Sequence, residues 1–105
     1  MLVHTVFFWM KKNAPKSAAK QTMKDALKYL KTPTVKHLWA GLPAKTEARD
    51  VINATYDVGL TVTFDSVADH DAYQEDPEHL SWYQKPTQLA GVALVIVIVL
   101  NILFW

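Results

Sequence analysis

The residues best suited to chemistry are Tyr73 and His79, in the stretch AYQEDPEHLSWY at 72–83, together with His4 in the first apolar run. Imidazole titrates near ~6.5 and phenol near ~10, so a histidine can remove a proton at neutral pH while a tyrosine hydroxyl donates to a developing oxyanion. That pairing is what proton abstraction next to a carbonyl requires: a base for the carbon acid and a donor for the enolate or alkoxide. Pro77 stands between the two residues, so the chain can turn there and helical phase need not hold them on opposite sides. In the first run, His4 shares strand parity with Val6 and Phe8, and the three can line one wall. Leu60, Val62, Leu80 and Trp82 complete the set of expected substrate contacts. The plainer reading is that Tyr73 packs its helix with its hydroxyl at the rim, while His79 donates to a backbone carbonyl and fixes the PEH turn.

Other signals are weaker. His37 shares parity with Trp39 and is expected to face a dimer interior, whereas His70, between Asp69 and Asp71, is expected to point to water. No H-x-x-x-H or paired carboxylate marks a metal site, and no G-x-G-x-x-G, Walker or G-x-S-x-G motif occurs, so neither metal nor cofactor is expected. The chain lacks cysteine, which rules out thiolate chemistry and a disulfide framework and fits a reducing compartment; a cytoplasmic location is expected. Trp9, Trp39, Trp82 and Trp105 are read as core or interface residues.

Charge is nearly balanced at +1 but divided along the chain. Residues 1–46 carry nine lysines and one acid, Asp25; residues 47–105 carry Arg49, Lys85 and nine acids. A basic face of this kind can bind polyanions, but it has no interleaved aromatics to stack bases and no RNP-type motif, so no nucleic-acid partner is expected and the lysines read as a solvated face.

The elements that must position these side chains emerge from periodicity. LVHTVFFWM at 2–10 reads as a strand, and its basic residues come after the apolar run, the wrong order for a secretory signal. From Lys16 to Lys31 the pattern is helical, with Ala19, Met23, Ala26, Leu27 and Leu30 on one face and lysines on another. TVKHLWAGL at 34–42 is a short strand, and AKTEARDVINAT at 44–55 a long polar loop of the kind that often carries function. YDVGLTVTF at 56–64 alternates, with Val58, Leu60, Val62 and Phe64 on one face. Asp65 or Ser66 caps a helix running to about Glu75, and Pro77 ends it or begins a second, short helix; Pro86 and Gly91 punctuate the next stretch of chain.

The tail GVALVIVIVLNILFW is uncharged, but it is shorter than the ~20 residues of a membrane span and rich in valine and isoleucine. It reads as a terminal strand over 92–104, buried on both faces, rather than a membrane anchor. At 105 residues the chain is one domain, residues 1–105. The order strand, helix, strand, strand, helix, strand is the ferredoxin-like βαββαβ arrangement, an α+β fold with a four-stranded antiparallel sheet and helices on one side. The uncovered sheet face predicts a homodimer, two sheets closing face to face into a dimeric α+β barrel.

VHTVFFW, HLWAGLPAKTEARDVINATYD, LTVTFDS and above all DAYQEDPEHL resemble the stress-responsive A/B barrel family, the dimeric α+β barrel proteins, over residues 1–85. The resemblance implies a dimer with a small-molecule cavity between sheet and helices of each protomer. In the few members that are enzymes, such as the plant polyketide cyclase, a histidine and a tyrosine act on a poly-β-keto chain without a cofactor. By that correspondence His79 and Tyr73 are catalytic, and His4 is the first-strand histidine of the pocket. The apolar C-terminus departs from the family pattern. Two further classes remain open at this level: a non-catalytic stress dimer, and a cofactor-free monooxygenase of the wider barrel group.

Overall fold

The computed structural model describes residues 1–47, 49–50, 52–83 and 92–101. Its elements run in the order β1 (Leu2–Met10), α1 (Ala18–Tyr29), β2 (His37–Gly41), β3 (Val58–Phe64), α2 (Val67–Glu75), α3 (Pro77–Tyr83) and β4 (Val92–Asn101). The strands form one antiparallel sheet in the order β2-β3-β1-β4, so the first strand lies inside and the last at an edge. This is the ferredoxin-like α+β architecture. The short helix α3 is the second of the two outcomes that Pro77 allows. Pro86 and Gly91, Lys85, and positions 102–105 with Trp105 lie outside the described residues.

Alternation in β1 and β3 decides which side is the core. Leu2, His4, Val6 and Phe8 of β1 are buried, and so are Val58, Leu60, Val62 and Phe64 of β3. The register places Leu2 opposite Phe64, His4 opposite Val62, Val6 opposite Leu60 and Phe8 opposite Val58, so these residues form a continuous floor under the helices. Over it pack Ala26 and Leu30 of the first helical segment and Tyr73 and Trp82 of α2 and α3. Their burial is the main source of stability, at roughly 1.5–3 kcal/mol per large apolar side chain.

The helical segment from 16 to 31 contracts to Ala18–Tyr29 with Leu30 as its C-cap, and its buried stripe is Ala18, Thr22, Ala26 and Leu30. Leu27, expected on the core face, is 44% exposed, while Ala19 and Met23 are only partly buried. The stripe repeats every four residues, so Ala19, Met23 and Leu27, one position further on, fall to its flank.

The terminal strand also departs from expectation. Val95 to Val99 are each between 38% and 55% exposed within the single chain. The reason is topological: among the described residues β4 pairs with β1 alone and stands at the sheet edge, whereas α1 packs on β2 and β3 and α2 on β3. Among the described residues no helix is long and apolar enough to cross a membrane.

Candidate functional site

The site is built by α2, the break after it, and the strand β1. Ser66 stands in extended backbone and its hydroxyl accepts from the Asp69 amide at 3.2 Å, an N-cap that fixes where α2 begins. A second tie comes from Thr34, whose hydroxyl donates to the Asp69 carbonyl at 2.8 Å. These contacts set the rotation of the helix and turn Tyr73 inward. Asp76 takes extended backbone before Pro77, as the proline ring demands. Its carboxylate accepts from the Glu78 amide at 2.9 Å and its carbonyl from the Leu80 amide at 3.0 Å, starting α3 in a new direction. The reversal carries His79 back onto Tyr73.

The aromatic rings meet over the sheet floor. The Tyr73 and His79 centroids are 4.3 Å apart, edge to face. His4 lies 5.9 Å from Tyr73, again edge on, and Phe64 5.1 Å from it. Tyr73, His79 and His4 are all essentially buried, at 1%, 2% and 2% exposure. Of the expected substrate contacts, Val6, Phe8, Leu60 and Val62 lie on the floor and Trp82 packs edge to face on Phe8, centroids 5.5 Å apart. Leu80 stands apart from this group, half exposed on the outer side of α3.

Burial governs the charge of the imidazoles. His4 is pushed down from 6.5 to about 4, first by burial and then by the neighbouring His70 and His79. His79 is lowered too, chiefly by burial; Asp76 acts in the opposite direction and His70 adds to the depression. At pH 7 His4 is therefore a neutral imidazole.

His70, expected in water from its acidic neighbours, turns inward instead. Its Nε2 lies 3.2 Å from His4 Nδ1, its ring packs on Phe64 with centroids 5.5 Å apart, and its side chain is only 16% exposed. Only Nδ1 turns outward, donating to Asp71 at 3.2 Å. The signal is present in the spacing: His70 is three residues before Tyr73 and so shares its face of the helix, and this phase outweighs its two acidic neighbours.

Tyr73 and His79 pack directly against each other. Two open clefts lined by described residues lie elsewhere. One of about 200 Å³ is bounded by Phe7, Trp9, Asn53, Tyr56, Ile96 and Ile98 on the opposite sheet face; another of about 220 Å³ lies beside Met1, Lys36, His37 and Asp65. Trp39, 56% exposed and stacked on His37 at 5.4 Å, stands on that same open face. Among the described residues no cluster of histidines and acids is arranged to hold a metal ion.

A family model described as the stress responsive A/B barrel domain matches residues 2–96. No curated protein matches the chain. Among solved structures, the chain is similar to a protein of that family with a ferredoxin-like fold from Mesorhizobium loti, at 23% identity and a TM-score of 0.74, covering 98% of this chain and 97% of that one. A dimeric ferredoxin-like protein from Thermobifida fusca gives 16% identity and a TM-score of 0.75, covering 96% and 90%. The hydroxynitrile lyase of Passiflora edulis gives 21% identity and a TM-score of 0.61, covering 98% and 95%. At these identities the structural likeness establishes the fold alone.

Proposed function

The chain belongs to the stress-responsive A/B barrel domain family, and from that premise we propose that it is a dimeric protein that binds a small keto compound and moves a proton next to its carbonyl without a cofactor. The observation that carries this reading is the buried contact between Tyr73 and His79, with the uncharged His4 beside them. The His79 imidazole takes the proton from the carbon next to the carbonyl. The Tyr73 hydroxyl donates to the oxygen on which negative charge develops. Both act in a site walled by Val6, Phe8, Leu60, Val62 and Trp82, where a hydrogen bond to an oxyanion is stronger than in water. Such chemistry serves an aldol-type ring closure or the reverse cleavage, and a lyase from Passiflora edulis has the same fold.

The rings pack on each other, so the substrate must part Tyr73 from His79. The two rings stand on separate short helices that meet at the extended Asp76. The open sheet face, with Trp39 and the β4 side chains exposed, supports a second copy of the chain as its cover. A non-catalytic dimer is the second reading, and the mutual packing of the rings favours it.

The test is turnover of a panel of β-keto thioesters, monitored by chromatography, with wild type and His79→Ala. Ring-closed or cleaved product from wild type alone supports the proposal. No product from any member of the panel leaves the non-catalytic dimer as the reading.

A further inference from the structure

Three contacts around His70 determine where its proton sits. Asp71 Oδ1 lies 3.2 Å from Nδ1, and a carboxylate can only accept. The amide nitrogen of Gln74 lies 3.4 Å from Nε2, and an amide nitrogen can only donate. Both contacts call for the same arrangement, with hydrogen on Nδ1 and a lone pair on Nε2. His4 Nδ1 is 3.2 Å from that same Nε2. Two lone pairs cannot face each other at this distance, so His4 must supply the hydrogen.

We infer that His70 is a positioning residue that fixes buried His4 as its Nδ1–H tautomer and thereby places the His4 lone pair on Nε2. A histidine side chain free in water favours the reverse arrangement, so the preference has to be imposed by a partner. The line Asp71, His70, His4 runs from the exposed surface of α2 to the sheet floor, and each member orients the next. A lone pair on His4 Nε2 can accept a hydrogen bond from a hydroxyl or from the enol form of a dicarbonyl compound, but not from a carbonyl oxygen, so a compound brought against that nitrogen would be selected for an O–H group. This selectivity rests on the function proposed above; the tautomer does not.

The experiment is long-range proton–nitrogen correlation on the uniformly ¹⁵N-labelled full chain at pH 7, where His4 is neutral. His4 Nδ1 should resonate as a protonated ring nitrogen and Nε2 as a bare one, with a scalar coupling across the hydrogen bond between His4 Nδ1 and His70 Nε2. His70→Gln, whose amide oxygen still accepts, should keep the pattern. His70→Leu should shift His4 toward the Nε2–H form. Hydrogen on His4 Nε2 in wild type, or an unchanged His4 pattern in folded His70→Leu, overturns the inference. Should the leucine variant not fold, the wild-type nitrogen shifts decide: hydrogen on His4 Nδ1 with a bare His70 Nε2 supports the assignment, and hydrogen on His70 Nε2 or on His4 Nε2 overturns it. Every reading is made on the resting protein, so a lack of turnover would sink the proposed reaction and still leave this result decisive.

Discussion

Acidification should unfold this protein through His4, and removing that histidine should blunt the effect. His4 titrates at about 4 in the folded chain against 6.5 for an ordinary histidine. Between those values the unfolded chain binds a proton that the folded chain does not, so stability is fully present above 6.5 and drains away as the pH falls toward 4. At about 1.36 kcal/mol per pH unit the interval corresponds to ~3 kcal/mol, a large share of the ~5–15 kcal/mol typical of a domain. His79, also lowered by burial, acts in the same direction. The assay is urea unfolding of wild type and His4→Phe at several pH values between 7 and 4, at one fixed protein concentration so that any association is held constant. The two stability lines should converge as the pH falls, with the wild-type slope steeper by up to ~1.4 kcal/mol per unit. Parallel lines would refute the reasoning. So would an NMR titration of the His4 ring with its midpoint near 6.5.

Other perturbations test separate parts of the account. Tyr73→Phe keeps the ring packing and removes only the hydroxyl, so the turnover of any keto substrate found should fall about 10²–10³-fold, the loss usual for one oxyanion donor; unchanged turnover would assign the donor elsewhere. Ser66→Ala removes the cap of α2 and should cost about 1 kcal/mol in urea unfolding, with an unchanged midpoint showing that the Thr34 tie suffices. Trp39→Asp places a charge on the open sheet face and should move the protein from dimer toward monomer in size-exclusion with light scattering. A persistent dimer would place the interface elsewhere.

Much of this architecture is legible in the sequence because alternation in β1 and β3 is nearly strict, and a strand with a one-sided core can pair only in the register that keeps Leu2, His4, Val6 and Phe8 together. Pro77 announces the reversal that brings His79 to Tyr73. Where sequence and structure part, local pattern competes with tertiary placement. Two flanking aspartates point His70 to water, yet its helical phase with Tyr73 decides its direction. Size points Leu27 to the core, although the buried stripe of α1 runs through Thr22, Ala26 and Leu30 at four-residue steps and leaves Leu27 beside it. The apolar content of the tail predicts burial, but composition says nothing about strand order, and order puts β4 at an edge that this chain alone leaves exposed. The touching of the rings is a property of side-chain packing that spacing cannot reveal.

Proton abstraction itself can be observed without knowing the natural substrate. Exchange of hydrogen for deuterium next to the carbonyl of simple ketones and β-keto thioesters, monitored by NMR in heavy water near pH 7, reports the base directly. The account predicts exchange above the buffer rate for at least one compound with wild type, reduced about 10²–10⁴-fold in His79→Ala. Equal rates for the two proteins, or exchange no faster than buffer across the series, would contradict it.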